Sequence, residues 1–260
     1  MTDARESAPT PWTFNPIGVA RTVFREKYSI PRQPGLCPAA RGTVHLRCDD
    51  ALRAALRGIE GFSHLWLVYV FHATGATDWR PTVRAPRLGG AEKVGSLASR
   101  SPHRPNPIGI SVVELLRADL DHPEGPRLEV RGVDLLDGSP VLDVKPYLPY
   151  ADAVRGATTG WAREPVPRAP VRFSRKASRR VRAFEGTRPE LRALIRGLLS
   201  LDPRPAFQQR RMPLNSPAAE GTRWGFSVVD LEVQWEIRAG AIHVVDVFVP
   251  DDAPSVGGRG

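Results

Sequence analysis

Residues 99–109 hold polar side chains on a backbone that has little conformational freedom. Pro102, Pro105 and Pro107 lie within this stretch, together with the side chains of Arg100, His103, Arg104 and Asn106. Because proline fixes φ and removes a backbone donor, neither a helix nor a central strand can pass through it. A stiff loop with two arginines suits an anionic or polar ligand, because the loop loses little conformational entropy when the ligand binds. A surface turn with solvated arginines fits the same residues equally well.

A second proline-bracketed loop, Pro31-Arg32-Gln33-Pro34-Gly35, also leaves backbone and amide groups available to a ligand. Neither loop is a glycine-rich nucleotide motif. The chain has no Gly-x-Gly-x-x-Gly between a strand and a helix, and it has no P-loop. A Rossmann domain is therefore excluded, and a nucleotide-like ligand must be held by something other than a helix N-terminus.

Four further polar side chains could act in binding or proton transfer, and each has a structural alternative. The position of His64, just ahead of an apolar run, favours a structural role as a hydrogen-bonded core histidine over a catalytic role. His72, at the end of that run, fits either role equally. Asp143 and Lys145 share one face of a predicted strand, where they form a structural ion pair or line a substrate site.

Residues 168–196 are strongly basic, with ten Lys or Arg residues and two acids. Such a run is commonly a solvated face, but a short helix here would present five cations on one surface that suits nucleic acid: Arg175, Lys176, Arg179, Arg180 and Arg182. Neutralising several phosphates would make binding fall steeply with salt. Trp66 and Trp79 are predicted to pack within the protein rather than to stack on bases.

The composition is that of a basic, turn-rich protein. Of its 260 residues, 26 are proline and 23 are glycine, which favours short strands over long helices. Lys and Arg number 37 against 28 Asp and Glu, and the resulting charge of +9 suits a polyanionic partner. Cys37 and Cys48 match neither a metal-ligand spacing nor a disulfide framework. With no signal peptide in residues 1–16 and no apolar run longer than seven residues, we expect a cytoplasmic protein without a membrane span or a metal.

The elements predicted to position these loops are short strands. Residues 1–15 are expected to be disordered and residues 16–155 to form a single-sheet β-barrel, because strands and helices do not alternate. Six strands are predicted, at residues 17–24, 43–48, 65–71, 110–116, 128–136 and 141–145. Residues 65–71 are apolar throughout, which predicts a strand covered on both faces. Asp49 or Asp50 is expected to cap a short helix, and residues 73–99 to form a long irregular segment or lid. The predicted inward set around the fifth strand is Leu128, Val130, Val133 and Leu135.

A second unit follows the barrel, so the predicted class is mainly β with a small α+β C-terminal domain. Residues 156–170 are predicted to be a proline-containing linker, residues 171–249 the domain and residues 250–260 a disordered tail. Thr187 and Glu190 have capping-box spacing ahead of an apolar stripe at helical spacing: Leu191, Leu194, Ile195, Leu198 and Leu199. Residues 231–237 alternate apolar and polar, and the Ala239-Gly240 turn pairs them with residues 242–249.

Four separated motifs, in order, resemble those of the TrmO family: Pro31-Arg32-Gln33-Pro34-Gly35, Phe62-Ser63-His64-Leu65-Trp66, the loop of residues 99–109, and Asp143-Val144-Lys145-Pro146-Tyr147. The similarity spans residues 17–150 with few gaps and resumes at Asp202-Pro203-Arg204-Pro205. This resemblance implies a β-barrel tRNA methyltransferase that uses S-adenosylmethionine. The implied substrate is N6-threonylcarbamoyladenosine at position 37, next to the anticodon, in tRNA-Thr, and the product carries an N6-methyl group. A homodimer with active sites near the subunit boundary is also implied.

The resemblance further implies roles for individual residues. S-adenosylmethionine is expected near Pro31, Arg32, Gln33, Phe71, His72, Arg100, Ile110, Leu135, Leu136, Asp137 and Gly138. The expected catalytic residues are His72, Asp143, Lys145 and Tyr147, and the alternatives for the proton acceptor are His72, Asp143 and Tyr147. Together with the basic run, the expected RNA contacts are His103, Arg104, Asn106, Lys145, Arg175, Lys176, Arg179 and Arg180. Arg100 suits the carboxylate of the methyl donor, and the Gln33 amide can donate and accept hydrogen bonds.

One position departs from the family's loop, which often has an aromatic residue where His103 stands. Two other functions fit the residues. A non-catalytic RNA-binding barrel would bind no S-adenosylmethionine. A methyltransferase acting on a small molecule or a protein would keep its turnover when Arg179 and Arg180 are reversed in charge.

Overall fold

A computed structural model of the chain describes residues 12–74 and 79–250. Its strands are β1 (Gly18–Thr22), β2 (Arg41–Leu46), β3 (His64–Val70), β4 (Thr82–Arg84), β5 (Lys93–Gly95), β6 (Ile108–Asp119), β7 (Arg127–Arg131), β8 (Ser139–Pro146), β9 (Val171–Phe173), β10 (Arg223–Val228), β11 (Leu231–Arg238) and β12 (Ala241–Phe248). Its α-helices are α1 (Asp50–Ala55), α2 (Pro149–Asp152), α3 (Arg175–Phe184), α4 (Leu191–Ser200) and α5 (Ala206–Arg211). The predicted disorder of residues 1–11 and 251–260 lies outside the described residues.

Strands β1, β2, β7, β6, β3 and β8 form, in that order, a closed barrel. Every neighbouring pair is antiparallel. Because side chains alternate across a strand, every second residue points into the barrel and fills it. The predicted inward residues Leu128, Val130, Val133 and Leu135 are no more than 1% exposed. The predicted barrel and the mainly-β class are confirmed.

Strand β3 does not have the two covered faces that its apolar sequence predicts. Leu65, Leu67 and Tyr69 are buried inside the barrel, whereas Trp66 and Val68 are only partly covered. The prediction was wrong because, among the described residues, the outer apolar side chains of this strand are only partly covered. The apolar outer face therefore remains at the surface.

The segment after β3 is more regular than predicted. Strands β4 and β5 pair as a small antiparallel hairpin, and short 3-10 helices span Pro86–Leu88 and Ser96–Ala98. The prediction of a wholly irregular segment was therefore wrong for the part that is described, since residues 75–78 lie outside it. The predicted cap of α1 is confirmed, with Asp49 Oδ1 accepting from the amide of Ala51 at 2.8 Å.

The C-terminal domain is a four-stranded sheet in the order β10-β11-β12-β9, with α3 and α4 packed on it. The apolar side chains of β11 are fully buried, as their alternation predicts. The Ala239-Gly240 turn joins β11 to β12 with φ of 48° and 71°, the left-handed pair that a tight hairpin turn requires.

Helix α4 begins at Leu191 and buries the predicted stripe, from Leu191 to Leu199, against the sheet. The predicted capping box was wrong. Glu190 is itself the residue before the helix, with φ of 60° and no capping hydrogen bond from its side chain. Its carboxylate instead accepts a hydrogen bond from Arg41 Nε of the barrel at 2.9 Å.

The C-terminal domain packs on the segment that follows β1. The amide of Val229 donates to the carbonyl of Val23 at 2.9 Å, and the amide of Ser227 donates to Glu26 Oε1 at 2.9 Å. Farther along, Arg168 Nη2 donates to the carbonyl of Leu36 at 2.7 Å. These contacts fix both ends of the segment that carries Pro31-Arg32-Gln33.

Candidate functional site

The two proline-braced loops meet at one end of the barrel. Arg100 Nη1 donates a hydrogen bond of 2.8 Å to Gln33 Oε1, although the two residues lie far apart in the chain. Arg100 is exposed and Gln33 is half-buried, while Pro31 is buried beneath the first loop. A guanidinium and an amide are thus presented side by side at the barrel rim.

The end of β3 contributes the next part of this rim. The amide of Phe71 donates to the carbonyl of Pro107 at 2.8 Å, which ties the strand end to the start of β6. A Cβ added at Gly138 would lie 4.0 Å from His72 Nε2, and Gly138 has φ of +80°. His72 therefore sits beside a turn whose backbone conformation favours glycine.

That turn, Leu135 to Gly138, is fixed by its own hydrogen bonds. The amide of Gly138 donates to the carbonyl of Ala20 at 2.9 Å. The carboxylate of Asp137 accepts from the amide of Thr22 at 2.9 Å, and the Thr22 hydroxyl donates to the carbonyl of Leu135 at 2.9 Å. The turn is consequently a rigid wall of the rim, and the Leu135 side chain itself belongs to the core.

Below the rim, three polar groups form a hydrogen-bonded chain inside the barrel, and none of them is among the predicted site residues. Ser111 Oγ donates to Asp134 Oδ1 at 2.6 Å, and Tyr69 Oη lies 3.3 Å from Ser111 Oγ. Ser111 and Tyr69 are 0% and 3% exposed, and Asp134 is half-buried. A signal was available, because Ser111 and Asp134 interrupt otherwise apolar runs of the barrel.

Burial dominates the electrostatics of this chain of polar groups. Desolvation raises the pKa of Asp134 to about 6, while the hydrogen bond from Ser111 and the positive charge of Arg100 act in the opposite direction. Desolvation also raises the pKa of Tyr69, and the negative charge of Asp134 adds to that rise. Arg100 therefore acts electrostatically on both groups from the rim.

Other predicted site residues lie on the outer side of the barrel wall. Val68 pairs in register with Ile110 and with Asp143, and Trp66 pairs with Lys145. Outward Ile110 thus lies between inward Gly109 and Ser111 on β6. Ile110, Asp143 and Lys145 form an outer group, which does not converge with the Arg100–Gln33 pair through the barrel interior.

The outer group has its own contacts. Lys145 Nζ lies 2.9 Å from Asp143 Oδ2. The two side chains therefore form the ion pair that was one of the two roles predicted for them. The Tyr147 ring lies 5.9 Å from Trp66 and 6.3 Å from His64, centroid to centroid. His64 is exposed and close to Ser63 Oγ; the expectation of a core histidine was therefore wrong.

The two tryptophans differ in their surroundings. Trp66 packs on Tyr147 and donates from Nε1 to Asp152 Oδ2 at 3.0 Å, which confirms its predicted packing. Trp79 is 51% exposed, so the packing predicted for it was wrong.

The loop of residues 99–109 is held by its own side chains. Arg104 Nη1 donates to the carbonyls of Ser99 and Ser101 at 3.0 and 3.4 Å, and the amide of His103 donates to Ser101 Oγ at 3.2 Å. Asn106 is exposed at the tip. This internal bonding, added to the three prolines, makes the loop a preformed surface.

Helix α3 carries the predicted cations, but two of them are already paired. Lys176 Nζ lies 2.6 Å from Asp246 Oδ2, and Arg180 Nε lies 3.7 Å from Oδ1 of the same residue. The side chain of Asp246 is only 9% exposed. Arg175 and Arg179 are exposed, so the cationic surface is narrower than the sequence predicts.

The described residues hold neither a metal-binding cluster nor a helix suited to span a membrane. Residues 12–74 and 79–250 contain no group of three or more His, Cys, Asp or Glu side chains that could hold a metal ion. In the same ranges no helix has the length and apolar character needed to cross a membrane. Both cysteines are free thiols.

Comparison with protein families gives two matches in the order of the two domains. The model of the tRNA-methyltransferase O N-terminal domain matches residues 19–153. The model of the TrmO C-terminal domain matches residues 166–249.

Similar proteins cover nearly the full length of the chain. The tRNA (adenine(37)-N6)-methyltransferase of Escherichia coli K12 is 39% identical over 232 residues, which is 89% of this chain and 95% of the relative. A Pseudomonas aeruginosa protein, provisionally named S-adenosylmethionine-dependent methyltransferase RcsF, is 44% identical over 237 residues, or 90% and 97% of the two chains. A crystal structure of TrmO from P. aeruginosa superposes with a TM-score of 0.75 at 39% identity, covering 94% of this chain and 100% of that one.

Proposed function

The chain belongs to the TrmO family, and we propose that it is an S-adenosylmethionine-dependent methyltransferase that modifies N6 of adenine 37 in tRNA. The finer proposal is that the base is N6-threonylcarbamoyladenosine, in tRNA-Thr, within the cytoplasm. The names of the E. coli and P. aeruginosa relatives support the reaction and the methyl donor. The observation that carries the proposal is the junction of Arg100 and Gln33 at the barrel rim.

The residues at this rim fit S-adenosylmethionine, which supplies an electrophilic methyl group when it is bound. Arg100 offers a cation for the donor's carboxylate, and Gln33 offers an amide that can donate and accept. The fixed turn from Leu135 to Gly138 offers backbone groups for the adenine edge, and Phe71 an apolar wall. Because these groups are already braced by prolines and hydrogen bonds, little further ordering is required on binding.

The base to be modified lies in a single-stranded anticodon loop, where turning a base out of its stack is comparatively easy. Arg104 of the rim loop and Lys145 of the outer group are proposed to contact the RNA backbone or the threonyl carboxylate. His103 and Asn106 belong to the same preformed loop and are proposed to contact the RNA beside them. The N6 nitrogen must also lose a proton during the reaction, for which His72, Asp143 and Tyr147 remain candidates.

We also propose that the protein works as a homodimer. The outer faces of β3 and β6 are apolar and partly exposed, with Ile108 38% and Ile110 48% exposed. A second copy is a suitable cover for a patch of this kind. Asp143 and Lys145 lie on the same outer face, so a dimer formed there would bring these proposed catalytic residues to the subunit boundary.

Mass spectrometry of tRNA nucleosides tests the function. In a strain lacking this gene, we expect N6-methyl-N6-threonylcarbamoyladenosine to disappear, and wild type to restore it. Arg100→Ala is expected not to restore it, while Arg57→Ala, which removes an exposed arginine after α1, is the matched control and is expected to do so. An unchanged nucleoside profile in the deletion strain would overturn the proposal.

A further inference from the structure

A chain of three hydrogen-bonding groups lies in the mostly apolar interior of the barrel. Tyr69 of β3, Ser111 of β6 and Asp134, just after β7, are linked by the 3.3 Å and 2.6 Å contacts described above. A largely desolvated carboxylate is unfavourable for folding unless it is fully compensated. Here desolvation outweighs the Ser111 hydrogen bond and Arg100, and the pKa of Asp134 rises to about 6. A buried carboxyl group with a raised pKa is a candidate for a role in catalysis or binding.

This chain of groups lies directly beneath the proposed donor site. The Tyr69 ring packs edge-on against the Phe71 ring with centroids 5.3 Å apart. It also covers Gly109, where an added Cβ would come within 2.4 Å of the ring. Asp134 immediately precedes the Leu135 to Gly138 turn, and the positive charge of Arg100 at the rim acts on its carboxylate. Asp134 as a residue is half-buried rather than fully buried, and a role in proton transfer requires that N6 of the base reaches its carboxylate from the rim.

We propose that Asp134 is the proton acceptor of the methyl transfer, and that Ser111 and Tyr69 are positioning residues that orient its carboxylate. This inference rests on the proposed function. In the methyl transfer, the bond between N6 and the methyl carbon forms as the S–CH3 bond breaks, and the electron pair of the broken bond leaves with the sulfur. The N6 proton passes to an oxygen of Asp134. The proton is later released to water, which restores the carboxylate.

Asp134 suits this role better than the candidates implied by resemblance. Asp143 is engaged by Lys145 on the outer side of the barrel wall, and Tyr147 is packed between aromatic rings. His72 is exposed at the rim. Among these candidates, Asp134 is the one whose carboxylate is hydrogen-bonded to a buried hydroxyl and is influenced by the charge of Arg100. Above pH 6 it is ionised, and it is more basic than a solvated carboxylate.

The test compares wild type with Asp134→Asn, which keeps the shape and removes the charge. With tRNA bearing the threonylcarbamoyl group, we expect kcat to fall about 100-fold or more and the acidic limb of the pH–rate profile to disappear. The affinity for S-adenosylmethionine, measured by calorimetry, is expected to change less than about 3-fold. Thermal unfolding checks that the variant is folded.

Ser111→Ala provides a second and independent readout. Losing the hydrogen bond that favours the charged form raises the pKa of Asp134 further. We therefore expect the acidic limb to move to higher pH relative to the variant's own maximum rate. An NMR titration of the Asp134 carboxyl carbon in the protein without substrate or donor is expected to show the same upward movement, and Tyr69→Phe a smaller one.

Distinct results would overturn this inference. If Asp134→Asn keeps a wild-type kcat, or loses donor affinity as steeply as it loses kcat, Asp134 is not the proton acceptor. An acidic limb that stays in place in Ser111→Ala would also overturn it. If wild type itself does not methylate this tRNA, the proposed function fails instead.

Discussion

Arg100 Nη1 donates a hydrogen bond of 2.8 Å to Gln33 Oε1 and thereby joins two proline-braced loops that are 67 residues apart in the chain. Neither loop belongs to a helix N-terminus, where phosphate-bearing ligands commonly bind. Rigidity at this rim comes from prolines and loop hydrogen bonds rather than from regular secondary structure.

The first prediction concerns donor affinity at this pair. Arg100→Ala removes the cation proposed for the donor carboxylate, and we expect the Kd for S-adenosylmethionine to rise at least about 10-fold, as for loss of a charge-assisted hydrogen bond. Arg100→Lys is expected to recover only part of the affinity, because an ammonium lacks the planar fork of a guanidinium. Calorimetry measures both, with Arg57→Ala as the control. Unchanged affinity in Arg100→Ala would contradict the assignment.

The second prediction follows from the raised pKa of Asp134. The folded chain holds this proton up to about pH 6, whereas an unfolded aspartate releases it near pH 4. Stability is therefore lost as the pH rises from about 4 to about 6, and the full penalty, on the order of 3 kcal/mol, applies above that range. We expect Asp134→Asn to raise Tm by several degrees at pH 8 and to converge with wild type below pH 4.

Exposed Asp121→Asn is the control for this comparison and is expected to leave Tm unchanged at both pH values. A lower Tm for Asp134→Asn at pH 8 would show that the carboxylate stabilises the fold.

The third prediction separates two roles on α3. Replacing both Lys176 and Arg180 with Ala leaves Asp246 unpaired and mostly buried, so we expect the free energy of unfolding to fall by about 1–3 kcal/mol. Replacing exposed Arg175 and Arg179 instead is expected to spare stability. That second variant should weaken tRNA binding and make it less dependent on salt. Denaturant unfolding and filter binding at several salt concentrations measure these effects.

The opposite pattern, with stability lost in the Arg175 and Arg179 variant and RNA affinity lost only in the other, would refute this division.

The fourth prediction concerns the Asp202-Pro203-Arg204-Pro205 motif. Arg204 is 0% exposed, donates to both oxygens of Asp202 at 2.7 and 2.6 Å, and lies over the Trp224 ring. Asp202 in turn acts electrostatically on Arg32 of the first proline loop and on Tyr28, three residues ahead of that loop. Arg204→Met leaves Asp202 without its buried partner, so we expect a stability loss of about 3–5 kcal/mol.

A subtler variant tests whether the motif helps to place the first loop. Asp202→Asn removes the charge that acts on Arg32 and also the counter-charge of buried Arg204. We therefore expect some loss of stability, checked by thermal unfolding, together with weaker S-adenosylmethionine binding and unchanged tRNA binding in the folded variant. Asp121→Asn again serves as the control. If Asp202→Asn leaves donor affinity intact, the motif stabilises only its own domain.

Local pattern was sufficient to predict much of the fold. Alternation along residues 128–135 and 231–237 identified inward side chains, and the stripe in α4 identified its buried face. Both succeed because periodicity is a property of neighbouring residues. The prediction that β3 is covered on both faces failed, because an apolar sequence does not show whether a face is covered by the same chain.

The candidate site was predictable in part. The Arg100 and Gln33 loops were identified by residue type, but their contact depends on barrel closure. The pairing of Ser111 with Asp134, and of Lys176 with Asp246, joins elements that are distant in sequence. The capping box at Thr187 failed because Glu190 is used by Arg41 of the other domain.

A crystal structure of the full chain with bound S-adenosylmethionine tests the central claim most directly. We predict that the donor lies at the barrel rim, with polar atoms within hydrogen-bond distance of both Arg100 and Gln33. A donor bound away from these two residues would contradict it.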